Sequence, residues 1–208
     1  MNIKIAIADD HPVITDGLKS GLTEYDFITV TATYKNGKQL LLGLQADVPD
    51  ILLLDMQMPD YTGDQLMEII ARKFKSVKVI VVSSNDIVYQ VKKMLKLGCK
   101  GYLLKDSELE TIASAIKTVH EGEEFISPKI QEALMKDLFT ANGNTQAPSR
   151  REIEVLKEIS NGNTTQEIAD NLFLSPHTVD KHRTSIMNKL NAKNTAELIK
   201  LGMQQGLI

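Results

Sequence analysis

The chain of 208 residues has one cysteine, Cys99, which excludes an internal disulfide framework and any metal site built from several cysteines. No apolar run approaches the roughly 20 residues that a membrane span requires. The opening stretch, MNIKIAIADD, turns acidic too early for a secretory signal. There is no internal repeat beyond the alternation described below, and no low-complexity tract. A strong basic excess is missing too: the net charge is −3, although within the tail residues 176–193 carry a local surplus, with Lys181, Arg183, Lys189 and Lys193 against Asp180. These absences imply a cytoplasmic protein with no membrane partner. What remains is an ordinary globular composition, 42% apolar and 25% charged.

The first 120 residues alternate between short apolar runs and amphipathic stretches. Strands are expected over Ile3–Ala8, Ile28–Thr33, Ile51–Leu54, Val77–Val82 and Gly101–Leu104. Helices are expected over Pro12–Leu22, Gly37–Gln45, Asp64–Lys73, Ile87–Leu97 and Ser107–Glu121. Gly98 reads as a helix C-cap, and Ser107 to Glu110, SELE, as a capping box. Five strand–helix repeats predict an α/β fold, a doubly wound, flavodoxin-like parallel five-stranded sheet in the order 2-1-3-4-5.

Polar residues, most of them charged, stand where these runs end. Asp9 and Asp10 follow the first strand, Asp55 the third, Ser83 the fourth and Lys105 the fifth. In open parallel sheets the carboxyl ends of strands form the ligand edge. Three carboxylates there need a counter-charge, and oxygen-only ligands favour a hard cation such as Mg²⁺. With an ammonium and a hydroxyl facing the same place, the set describes a phosphoryl site in which a carboxylate can itself be the nucleophile. The plainer alternative has Asp9 and Asp10 capping a helix and Asp55 capping a turn. His11 reads as a solvated or capping residue, and Cys99 as a small packing residue.

Around 139–148, FTANGNTQAP, periodicity is lost, so residues 123–147 form a linker in which Pro128–Phe139 can make a short helix. Beyond it four helix starts carry cap signals at Ser149, Thr164, Ser175–Pro176 and Asn194, predicting a small all-α four-helix domain over 148–208. Thr165–Leu172 and the segment from Pro176 fit a helix-turn-helix. On the second helix Val179, Ile186 and Leu190 share one direction. His177, Lys181, Thr184 and Asn188 share the opposite one, with Thr178, Asp180 and Ser185 on its flanks. Such a stripe suits base edges, and Lys189 and Lys193 suit phosphates. A merely solvated face is the alternative.

Residues 3–120 resemble the receiver domain of two-component response regulators. The resemblance rests on Asp9–Asp10, Asp55 after ILLL, Met58–Pro59 with Gly63, Ser83 after VIVV, and KGYLLK ending at Lys105. It implies a domain over 1–122 whose Asp55 accepts phosphate from a histidine kinase. Asp10, Asp55 and the backbone carbonyl of Gln57 would hold Mg²⁺, with Asp9 helping through water. Ser83 and Lys105 would touch the phosphoryl group. Ser83 and Tyr102 would form the switch, although a strand tyrosine can equally be packing. Ser84 and Cys99 stand where the family usually has Ala. Residues 148–205 resemble the LuxR-type DNA-binding domain, whose base-reading positions fall on Asp180, Lys181 and Thr184. Asp180 could accept from cytosine or repel phosphate. The resemblances together imply a transcriptional regulator that is not an enzyme, dimerises when phosphorylated and binds promoter DNA. An aspartate-dependent phosphatase would need a second Asp where this chain has Gln57. A third reading makes the tail a dimerisation module.

Overall fold

A computed structural model describes residues 2–84, 86–140 and 148–208, with the backbone alone for 138–140 and 204. It divides into two compact units, Met1–Met135 and Lys136–Ile208. The linker stretch 141–147 lies outside the described residues.

In the first unit, strands β1 (Ile3–Ala8), β2 (Ile28–Tyr34), β3 (Ile51–Asp55), β4 (Lys78–Ser83), β5 (Gly101–Leu104) and β6 (Phe125–Ile126) form one parallel sheet in the order β2-β1-β3-β4-β5-β6. Helices α1 (Pro12–Leu22), α2 (Gly37–Ala46), α3 (Gly63–Lys73), α4 (Val88–Lys96) and α5 (Leu109–Glu121) alternate with the strands. The continuous apolar runs are explained by burial on both faces. Ala6, Leu52, Leu54, Val79, Val81 and Leu104 pack against Leu40, Leu66, Ile70 and Val91 on one side. Their neighbours Ile5, Ile7, Leu53, Ile80, Val82 and Leu103 pack against Leu18, Leu22, Ile112 and Ile116 on the other. Cys99 is 1% exposed, and burial pushes its thiol up to about 12, so it is an unreactive packing group.

Two local expectations are corrected. The sheet has a sixth strand: Gly122, at φ +103°, stops α5, and the returning chain pairs Phe125 with Gly101. The SELE box does not form. Helix α5 begins two residues later than expected, at Leu109, with Glu108 at its N-cap and no side-chain cap. The Gly98 stop does form: at φ +97° it lets its own N–H reach Leu95 O and the Cys99 N–H reach Met94 O. Helix α6 (Pro128–Thr140) follows, seated on the first unit by buried Ile130.

The second unit contains α7 (Arg150–Ser160), α8 (Thr165–Asn171), α9 (Pro176–Lys189) and α10 (Thr195–Gln204). All four cap signals are realised. Ser149, Thr164, Ser175 and Asn194 accept from Glu152, Glu167, Thr178 and Glu197 N–H respectively. Val155, Leu156, Ile168, Val179, Ile186 and Leu198 are among its buried residues.

Candidate functional site

Strand register brings the expected residues to one end of the sheet. Ala8 pairs with Leu54, Asp55 with Val82, and Ser83 with Leu104, so Asp9, Asp55, Ser83 and Lys105 end neighbouring strands. Lys105 Nζ lies 2.7 Å from Asp9 Oδ2 and 2.9 Å from Asp55 Oδ2. Asp9 and Asp55 are each 3% exposed, as residues, and Ser83 2%. Burial raises the Asp55 carboxyl above its usual range against the pull of Lys105, with Asp9 adding to the rise. Burial alone would lower the Lys105 ammonium; hydrogen bonds to Asp55 and Asp9 outweigh it, and the ammonium is raised. Three carboxylates and one ammonium leave a negative excess.

Asp9, Asp10, His11 and Asp55 each offer a ligand atom within 4.8 Å of the others. Asp10 Oδ1 is buried and accepts no hydrogen bond of regular geometry. His11 is the N-cap residue of α1, and its Nδ1 stands 3.0 Å from Asp9 Oδ1 and 2.8 Å from Asp10 Oδ1. The sequence placed His11 beside the pair without showing that its ring folds back onto it. Gln57 follows Asp55 in a loop where its N–H donates to Asp55 Oδ1 at 3.2 Å. Tyr102 is wholly buried. Burial pushes its phenol up to about 12, with the neighbouring Ser83 side chain opposing the rise.

On α9 the polar stripe is real. His177, Asp180, Lys181, Thr184 and Asn188 are exposed, Thr178 and Ser185 half-buried, and Val179 and Ile186 point inward. His177, Asp180, Lys181, Thr184, Ser185 and Asn188 line one shallow concavity. Arg183 fixes the helix from its flank by donating to Thr165 Oγ1 on α8 and Thr195 Oγ1 on α10.

Lys189 is placed differently from its expected role at phosphates. Its Nζ donates to Glu152 Oε2 at 2.8 Å, and its side chain is only 15% exposed. Glu152 is 4% exposed and also accepts from Ser185 Oγ at 2.6 Å and Ser149 N at 2.5 Å. Burial alone would push this carboxyl up; those hydrogen bonds, Lys189 first, hold it at about 2. In sequence Glu152 was legible only as the last residue of a capping box.

The two units correspond to two known families. Residues 5–117 match the response regulator receiver domain, and residues 148–201 match the bacterial regulatory proteins of the luxR family. The chain is 33% identical over 215 residues to the oxygen regulatory protein NreC of Staphylococcus carnosus, covering 99% of each. RcsB of Salmonella enterica serovar Typhimurium, solved bound to a promoter with phosphomimetic BeF₃⁻, is 26% identical with a TM-score of 0.76, over 97% of this chain and 98% of that one. The response regulator ChrA of a heme-sensing two-component system is 31% identical with a TM-score of 0.57, over 100% and 99%. This chain therefore belongs to the two-component response regulators, with a receiver domain followed by a luxR-family domain. It is a regulator rather than an enzyme. Among the described residues no helix is long and apolar enough to cross a membrane.

Proposed function

We propose that this protein is a cytoplasmic transcription regulator switched by phosphorylation of Asp55 by a sensor histidine kinase. The observation that carries the reading is the buried pairing of Asp55 and Asp9 with Lys105 beside the third carboxylate, Asp10. The negative excess and the clustered carboxylate oxygens fit a divalent cation, and Asp10, Asp55 and the Gln57 carbonyl would hold Mg²⁺, with Asp9 acting through water. When bound, Mg²⁺ neutralises charge on the phosphoryl oxygens. The Asp55 carboxylate forms an O–P bond as the P–N bond of the donor phosphohistidine breaks. Lys105 compensates the new charge, and Ser83 donates to a phosphoryl oxygen.

Phosphorylation adds about −1.5 to −2 charges at neutral pH. Ser83 neighbours the buried Tyr102 phenol, and we assign these two as the switch that biases the receiver toward a dimer. Two luxR-family domains then engage two half-sites, and effective concentration strengthens the weak grip of each. RcsB, at 26% identity, has been solved as two dimers bound to two parallel DNAs. We assign Thr178, Asp180, Lys181, Thr184 and Asn188 to the DNA face, on the strength of the exposed stripe formed by the last four, with the half-buried Thr178 on its flank. Lys193, which is also exposed, fits phosphate.

The deciding experiment captures duplexes from a randomised pool with the full chain, with and without a small phosphodonor. An enriched sequence whose recovery rises on phosphorylation is expected. No enrichment in either condition removes the DNA-binding reading.

A further inference from the structure

The residues after Asp55 have a demanding task in the proposed site, because Gln57 must present its backbone carbonyl to the cation. The base of the loop is closed by its own backbone. Gly63 N–H donates to Met56 O at 3.0 Å, and Gln57 and Thr62 form an antiparallel bridge. A Cβ on Gly63 would lie 2.9 Å from Met56 Cα, so this closure needs glycine. Met58, 8% exposed, anchors the middle in the apolar core.

The far end of the loop is held by a different device. Asp60 Oδ1 accepts from Gly37 N at 2.7 Å, and Asp60 Oδ2 accepts from Lys38 N at 2.9 Å. These are the first two N–H groups of α2, which have no partner within the helix. The third, Gln39 N, donates to the helix's own N-cap, Asn36 Oδ1, at 2.9 Å. Tyr61 closes the same joint. Its ring fills the space beside Gly37, where a Cβ would meet Tyr61 Cδ2 at 2.5 Å. Helix α2 is itself fixed to the sheet by Leu40 and Leu44, both fully buried. The loop that follows Asp55 thus borrows rigidity from a helix start that lies 22 and 23 residues before Asp60 in the chain.

We infer that Asp60 is a positioning residue for the phosphoryl site: by clamping the loop to the start of α2 it holds Gln57 in place and sets the pocket's affinity for its divalent cation. The inference rests on the Mg²⁺-dependent phosphorylation proposed above. Asp60 touches neither cation nor phosphoryl group, and acts through the loop. Partners of this outer kind typically change metal affinity by about 10–100-fold when removed.

A simpler role, capping α2 for stability alone, makes a different prediction. Asn36→Ala weakens the same helix start without touching the loop. Mg²⁺ binding to the full chain is followed by calorimetry, and the Mg²⁺ midpoint of phosphorylation by a small phosphodonor is measured beside it. Asp60→Ala is expected to weaken Mg²⁺ about tenfold, with phosphorylation recovering at high Mg²⁺. Asn36→Ala is expected to lower the melting temperature and leave Mg²⁺ affinity at the wild-type value. Asp60→Asn keeps one acceptor oxygen and should fall between wild type and Asp60→Ala, which covers the case where the alanine variant does not fold. Wild-type Mg²⁺ affinity in Asp60→Ala, or in Asp60→Asn where the alanine variant does not fold, overturns the clamp, as does an equal loss in Asn36→Ala. If the wild-type chain binds no Mg²⁺, the site reading fails along with it.

Discussion

Lys105 and Asp55, fifty residues apart in the chain, meet at the end of the sheet with Nζ 2.9 Å from Oδ2. Both side chains are nearly buried, at 9% and 3% exposed. Neither charge would be tolerated there alone, since an unpaired buried ion costs several kcal/mol. The same ammonium also holds Asp9, so the pair is part of a three-residue bracket across β1, β3 and β5.

That bracket makes Asp55→Asn a clean test of the nucleophile. Lys105 keeps Asp9, and Asn preserves the shape of Asp55, so the fold should survive. Incorporation of acid-labile phosphate from a small phosphodonor should disappear, as read by intact mass. Retention of one phosphate at the wild-type rate would place the nucleophile elsewhere.

Chelation probes the negative excess. Phosphorylation should stop when divalent cations are removed and return with Mg²⁺. Asp10→Ala should shift the required Mg²⁺ concentration upward more than Asp9→Ala does, because Asp9 is already paired with the Lys105 ammonium while Asp10 has the His11 ring beside it. A rate indifferent to chelator rules out the metal.

The phosphoryl pocket was legible in sequence for a simple reason. A strand buried on both faces must be apolar, so a charged residue at its end stands out, as with ILLL before Asp55 and YLL before Lys105. Contacts made by direction rather than periodicity stayed hidden. Strand β6 has two residues, too few to show a period. The ring of His11 and the carboxylate of Asp60 are polar groups in loops, with partners that only the folded chain supplies. On α9, helical phase placed the stripe correctly. It could not show that Lys189, near the helix end, reaches inward to a buried acid on another helix.

Glu152 makes the second unit acid-sensitive. Its carboxyl is held at about 2 when folded, below the ordinary carboxylate range. A depressed pKa gives stability that is complete above the unfolded value and disappears as pH falls toward the folded one. The window therefore runs from about pH 4.5 down to about pH 2. With solvent screening allowed for, about 1–2 kcal/mol should be lost across it. Chemical denaturation at several pH values should show this slope in wild type and a weaker one in Glu152→Gln. Equal slopes would assign the sensitivity to other groups.

Phe173 sits in the turn between α8 and α9 with φ +54° and 95% exposure. A side chain in the left-handed region costs roughly 1–2 kcal/mol relative to glycine, and among the described residues this exposed ring gains little packing in return. Phe173→Gly should therefore raise the melting temperature slightly, offset in part by glycine's greater chain entropy. A clear drop would mean the ring stabilises the turn.

Lys181 and Lys189 are two cations on one helix with opposite surroundings, and they separate reading from holding. Lys181 is exposed on the stripe opposite Val179 and Ile186, beside Thr184. If the stripe reads bases, Lys181→Ala should cost about 1–3 kcal/mol on the selected site and much less on random DNA. Its stability should stay near wild type, since the side chain is exposed. Lys189→Ala leaves Glu152 buried with only Ser185 and the Ser149 cap, so it should destabilise the second unit by about 2 kcal/mol. Below its melting transition, its salt dependence on DNA should match wild type, because the ammonium already has a protein partner. Titrations against selected and random duplexes at several salt concentrations, with melting curves for each variant, measure both effects. A shallower salt slope for stable Lys189→Ala would return that lysine to the phosphate contacts. Equal losses on both duplexes for Lys181→Ala would make it a phosphate contact instead of a base reader.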